Sequence, residues 1–156
     1  MIHYTKGNIL ESEAEALVNP VNTVGVMGKG LALQFKKAYP YNFERYKEAC
    51  SENGIEYYGK LEIGKVYATG ATPEENNGKI IINFPTKKHW KDPSRYEYID
   101  KGLDSLRHFL DFYYPESVAI PPLGCGLGGL EWNKVKQMIE EKLGSLTETE
   151  VYVYEP

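Results

Sequence analysis

The chain has 156 residues, 42% hydrophobic and 26% charged, which suits one compact domain, excludes a disordered chain and leaves no room for a second large domain. Its 18 Lys and Arg against 22 Asp and Glu give a formal charge of -4, which excludes a generally polycationic nucleic-acid binder and leaves any attraction for a polyanion to a local patch. Cys50 and Cys125 form neither a disulfide framework nor a metal-ligand spacing, and no segment approaches the roughly 18 apolar residues of a membrane span. Reduced thiols, no membrane contact and a cytoplasmic location are therefore expected.

In chain order, residues 2–5 and 16–19 read as strands, followed by a helix whose face carries Leu31, Phe35 and Ala38 and which Pro40 stops. Phe43, Tyr46 and Cys50 mark a second helix, and residues 66–69 and 80–84 the next strands, with a polar turn at 73–78 between them. Residues 80–84 are continuously apolar apart from Asn83, as suits a buried parallel strand. Ile99, Leu103, Leu106, Leu110 and Tyr113 alternate steps of four and three, the pattern of an amphipathic helix. A strand at 118–120 runs into Pro121-Pro122 and a glycine-rich turn at 123–130. Val135, Met138, Ile139 and Leu143 then line a helix, and 151–154 forms a last strand. Strands alternating with helices predict a layered α/β domain.

Three segments have the composition of a binding site. Asn19-Pro20-Val21-Asn22-Thr23, followed by Gly25, Gly28, Lys29 and Gly30, carries a strand through a glycine loop into a helix, an arrangement that aims backbone N–H groups at phosphate oxygens. Its spacing matches neither a Walker A loop nor Gly-x-Gly-x-x-Gly. Pro121 to Leu130 has Gly124, Gly126, Gly128 and Gly129 within six residues, leaving the backbone free to wrap an anion. Two such loops at strand C-termini would make a cleft sized for a diphosphate; the alternative for each is an ordinary tight turn. Cys125 has no paired base in view and reads as a packing residue. Asn83 to Lys91 puts Lys87, Lys88, His89, Trp90 and Lys91 directly after an apolar strand, where cations and aromatics meet a phosphate, a sugar or a base, or form a solvated turn. A lysine there that loses its proton becomes a nucleophile towards a sugar carbon. Tyr154 shares a strand face with Tyr152, and either stacks on a base or is an edge aromatic.

In order, Gly7-Asn8-Ile9, residues 16–23, 25–36, 83–90 and 121–132 resemble the macrodomain family, an ADP-ribose-binding α/β/α fold. Within it they are most similar to the DarG type, antitoxin glycohydrolases that remove ADP-ribose from thymidine in single-stranded DNA. The resemblance implies a three-layer α/β/α domain over residues 1–156 with a central mixed, mostly parallel sheet, acting as a hydrolase. It implies that Asn22 holds the distal ribose and that the loops at Val26, Met27, Gly28, Lys29 and Gly30 and at Gly124, Cys125, Gly126, Leu127, Gly128 and Gly129 cradle ribose and diphosphate. Lys87 becomes the catalytic candidate, with Thr86, Lys88, His89 and Trp90 shaping the side that faces DNA. Tyr154 takes the adenine-stacking place, and Asn8 stands where many macrodomains have an aspartate for the adenine amine; Ile9, Asn19 and Thr23 complete the binding set.

Relatives that act on protein glutamates have a similar lysine and also an aspartate where this chain has Gly128. That difference favours thymidine-linked ADP-ribose over the alternatives, which are protein glutamate, small ADP-ribose derivatives and a non-catalytic ADP-ribose reader. No cofactor and no metal are implied, ADP-ribose being ligand or product. The expected partners are ADP-ribosylated single-stranded DNA and a DarT-type toxin, with the chain itself a monomer.

Overall fold

The computed structural model describes residues 1–156. Its elements are β1 (Ile2–Thr5), β2 (Ala16–Asn22), α1 (Gly30–Ala38), α2 (Pro40–Cys50), β3 (Tyr67–Thr69), β4 (Ile80–Lys87), α3 (Tyr96–Tyr113), β5 (Ser117–Ile120), α4 (Trp132–Leu143) and β6 (Glu150–Tyr154). The six strands form one sheet in the order β1-β6-β5-β2-β4-β3, parallel throughout except for the antiparallel pair β3 and β4. This is the mixed, mostly parallel sheet expected, with helices on both faces.

Period-two alternation sorts the strand residues between the two faces. Val18, Ile82, Phe84, Val118, Ile120, Val151 and Val153 join α3 and α4 in one cluster of 17 buried residues. Helix α3 comes close to β4 at Gly102, where a Cβ would lie 2.3 Å from the Phe84 ring. On the opposite face Leu17, Ile81 and Ala119 pack under Phe35 and Tyr39. A separate cluster gathers Val21, Met27, Tyr46, Ala49, Leu61 and Tyr67.

Three boundaries at prolines differ from the sequence reading. Strand β2, expected over 16–19, runs on through Pro20 to Asn22. Pro40 does end α1, but it is also the first residue of α2, a position where its missing N–H costs nothing. Strand β4 runs on through Pro85 to Lys87. It can do so because β3 leaves it at Asn83, so Pro85 has a strand partner only in β2. Residues 85–87, expected after the strand, are thus its C-terminal end.

Strand β2 pairs with β5 only at Ala16 and Leu17, yet follows β4 as far as Asn22. Beyond Leu17 the sheet therefore opens between β2 and β5. There the chain order also reverses, with β2 followed by strands on one side and β5 by β6 on the other. Open α/β sheets hold ligands at such a point, outside the strand C-termini. At the far edge β1 has one partner, β6, bound in parallel from Ile2 opposite Val151 to Thr5 opposite Tyr154.

Candidate functional site

A cavity of about 420 Å³ fills the opening between β2 and β5, within the usual range of about 300–1,000 Å³ for small-molecule sites. Its walls are the ends of β2 and β4, the start of α1 and the two glycine loops. Pro121 and Pro122, which close β5, line it too.

Main-chain donors dominate two of these walls. Helix α1 begins at Gly30 with no side-chain cap and no acidic residue in its first turn. Gly30, Leu31 and Ala32 of that turn line the cavity, so orphan N–H groups and the positive end of the helix dipole meet there. Across the cavity, Cys125, Gly129 and Leu130 donate their amides back into the loop, to Pro122, Gly126 and Gly124. The amides of Gly126, Leu127 and Gly128 between them have no acceptor in the protein, and these three residues line the cavity. Successive unpaired amides of this kind form an anion-binding concavity.

The loop ahead of α1 is held by Asn22. Its Nδ2 donates to the Val26 carbonyl at 2.7 Å, and its Oδ1 accepts from the Val24 amide at 3.0 Å. The buried Tyr46 hydroxyl lies 2.7 Å from the same Oδ1 and 2.9 Å from the Asn22 carbonyl. Burial raises the Tyr46 phenol well above its ordinary value, which keeps it a donor. Asn22 is therefore both a cavity wall and the brace of the adjoining loop.

Lys87 extends from the end of β4 to the glycine loop, where its Nζ donates to the Leu127 carbonyl at 3.3 Å, with the Trp90 carbonyl at 3.5 Å. It takes part in none of the ion pairs of the chain. Two carbonyls leave the third donor of its ammonium unengaged. Gly128 cannot carry a partner for it. A Cβ at 128 would sit 2.3 Å from Ser94 Oγ and 2.5 Å from the Gly124 carbonyl, with the Ser94 backbone N–H donating to the Gly128 carbonyl at 3.1 Å. The glycine at this position is a packing requirement, and through it the cavity lacks a carboxylate there.

Of the residues named from sequence, Asn22, Val26, Gly28, Lys29, Gly30, Thr86, Lys87, Trp90, Gly124, Gly126, Leu127 and Gly128 line this cavity. Thr23, Lys88 and His89 line a neighbouring groove. Ile9 and Tyr154 pack in the cluster that includes Leu31, and the Asn8 side-chain oxygen accepts from the Leu10 amide at 3.0 Å, capping a short 3-10 turn. Gly129 turns its amide into the loop, as described.

Asn8, Ile9, Thr23, Lys88, His89, Gly129 and Tyr154 thus lie outside the cavity lining, and so do Asn19, Met27 and Cys125. Asn19 is fully buried, donating to Asn83 Oδ1 at 3.2 Å, and Met27 is buried beside it with Sδ 3.9 Å from Asn19 Nδ2. Cys125 packs against the large core. Burial pushes its thiol up to about 11, so it is a neutral thiol near pH 7. No cluster of three His, Cys, Asp or Glu side chains is placed to hold a metal ion. Sequence reasoning missed Ser94, which lines the cavity with a buried, unpartnered hydroxyl. Its neighbours Asp92, Pro93 and Arg95 form an unremarkable polar loop, so no local pattern marks it.

A model of the Macro domain family matches residues 18–139. The chain is 49% identical over its whole length to a DNA ADP-ribosyl glycohydrolase of Thermus aquaticus, of which it covers 41%. The chain thus spans about two fifths of the length of the DNA ADP-ribosyl glycohydrolases it matches. Among solved structures it is similar to the macrodomain of Thermus aquaticus DarG, with a TM-score of 0.89 and 49% identity, covering 100% of this chain and 99% of that one. It is also similar to Thermosipho africanus DarTG in complex with ADP-ribose, with a TM-score of 0.84 and 32% identity, covering 97% of this chain and 41% of that one.

Proposed function

The chain belongs to the macro domain family, and from that premise we propose that it hydrolyses the bond between ADP-ribose and a thymidine base of single-stranded DNA. The observation that carries this reading is the reach of Lys87 to the Leu127 carbonyl beside a Gly128 that leaves no space for an acid. The similarity to a DNA ADP-ribosyl glycohydrolase of Thermus aquaticus supports it, as does the ADP-ribose bound by the Thermosipho relative.

In this reading the amides of α1 and of Gly126 to Gly128 take the diphosphate, and Asn22 and its braced loop take the distal ribose. The reaction breaks the bond from the anomeric carbon to a thymine ring nitrogen and forms one to a water oxygen. The base departs with the bonding electrons, and a proton from the attacking water restores its neutrality. Positive charge grows on the ribose and negative charge on the base. The fixed diphosphate orients the first, and the unengaged N–H of Lys87 stabilises the second. Neither step needs a metal or cofactor from this chain.

The partner that would create the substrate is an ADP-ribosyltransferase toxin of the DarT type, supported by the DarTG pairing in Thermosipho africanus. The reaction would then take place in the cytoplasm, on cellular DNA. No helix of the chain is long and apolar enough to cross a membrane.

The deciding experiment measures ADP-ribose released from two substrates, single-stranded DNA modified on thymidine and protein modified on glutamate. Release from DNA is expected, with Lys87→Ala lowering it by about 10²–10³-fold, the usual effect of removing one transition-state donor. Release from protein alone would move the assignment to a protein hydrolase, and tight ADP-ribose binding without release from either would make the chain a reader.

A further inference from the structure

Next to the cavity lies a second groove of about 530 Å³, whose lining includes Thr23, Val24, Lys60, Glu62, Lys88 and His89. The two depressions share a wall made of consecutive residues. At the end of the β2–β4 ladder Asn22 is opposite Lys87, and both line the cavity. One residue further, Thr23 donates its amide to the Lys88 carbonyl at 3.2 Å and its hydroxyl to the same atom at 2.7 Å, and both residues line the groove. Lys87 lines the cavity and Lys88 the groove, so consecutive lysines serve opposite sides of this wall.

The groove is cationic in a chain whose net charge is -4. Lys60 and Lys88 are exposed and take part in no ion pair, and Glu62 is the only acid in the lining. The backbone that presents Lys60 is fixed from behind, with Lys65 Nζ donating to the carbonyls of Tyr58 and Lys60, each at 3.2 Å. Exposed aromatic rings flank these cations in sequence. Tyr57, wholly exposed, precedes Lys60 by three residues, and Trp90, 45% exposed, follows His89. Unpaired cations beside exposed rings are the recognition chemistry of single-stranded nucleic acid, in which charges follow the phosphates and rings take unstacked bases.

We propose that this groove binds the phosphodiester backbone of the DNA strand adjacent to the modified nucleotide. The inference rests on the DNA reading of the neighbouring cavity. It assigns Lys60, which belongs to no part of that cavity, as a phosphate contact with Lys88, and it gives the strand a direction of travel: the ADP-ribose enters past Lys87 while the backbone continues over Lys88.

The test compares the wild-type chain with Lys60→Ala on two substrates, an oligonucleotide carrying ADP-ribosylated thymidine and the same modified thymidine as a free nucleoside. Loss of one contact to a single strand should raise the oligonucleotide KM about fourfold near ~0.15 M salt and make the salt dependence of log KM shallower by ~0.7. Turnover of the nucleoside and affinity for ADP-ribose should be unchanged, which also shows that the variant folds. Binding of the unmodified oligonucleotide, followed by fluorescence anisotropy, should weaken by the same factor.

An oligonucleotide KM insensitive to Lys60→Ala, or an equal loss on the nucleoside, overturns the groove assignment while the DNA reading stands. Conversely, a wild-type chain that releases nothing from DNA yet binds the oligonucleotide through Lys60 sinks the reading and keeps the groove. No release and no Lys60-dependent binding sinks both.

Discussion

On the α3/α4 face of the sheet, 17 buried residues join in one apolar cluster. On the α1/α2 face the apolar residues fall into two smaller clusters, and among them lies a buried amide network. Asn83 is at its centre. Its Oδ1 accepts from Asn19 at 3.2 Å and from Asn42 at 3.0 Å, while its Nδ2 donates to Asn42 Oδ1 and to the Tyr67 carbonyl, each at 2.9 Å. Thr69 extends the network from Asn42 at 2.6 Å, and Asn76 joins Thr69 at 2.7 Å. The first face is held by burial, which is non-directional and tolerates adjustment. The second is held by directional bonds, which fix where the ends of β2 and β4 lie relative to α2. The cavity opens beyond those ends, so positional accuracy is concentrated where a ligand would need it.

This contrast can be broken from either side. Phe84→Ala, on the apolar face, should cost the most, about 3–5 kcal/mol in urea unfolding, and leave ADP-ribose affinity of the folded fraction close to that of the parent chain. Asn83→Leu should cost about 2–3 kcal/mol, because it strands the donor of Asn19, the Nδ2 of Asn42 and the Tyr67 carbonyl, while the Asn42 Oδ1 keeps only its bond from Thr69. It should also weaken ADP-ribose binding in titration calorimetry. A more stable Asn83→Leu protein with parental affinity would show that the network serves neither purpose. Tyr46→Phe should have the smallest effect on unfolding, about 1 kcal/mol, and a proportionally larger one on ligand affinity, since the hydroxyl braces Asn22 and the loop it carries. Equal small effects on stability and affinity would mean that Asn22 holds its loop unaided.

The layered architecture was legible because periodicity reports burial, and burial decides most elements here. Phe35 in α1 and the Ile99 to Leu110 face of α3 are buried as their spacing requires. The glycine loops were legible as backbone-lined turns, since their residues are contiguous. The amide network was not. Asn19, Asn42 and Asn83 come from β2, α2 and β4, and no spacing within one segment relates them. Ser94 and Lys60 were hidden for the same reason, each becoming notable only beside residues remote in sequence. The end of β4 was misjudged because the effect of Pro85 depends on where β3 stops, which is a property of the sheet.

The pairing of β1 with β6 has a consequence for how the chain is made. The amide of Val151 donates to the Met1 carbonyl at 3.1 Å and that of Glu155 to the Thr5 carbonyl at 2.8 Å, and β1 has no other strand neighbour. Within this sheet β1 is made before every other strand and must therefore wait for β6, made after all of them, before it finds its place. Contacts of such long sequence separation form slowly, because loop closure precedes any gain from them. During that interval the segment from Ile2 to Thr5 is an unsatisfied strand open to pairing with another chain, and the synthesis of β6 is the event that ends its exposure.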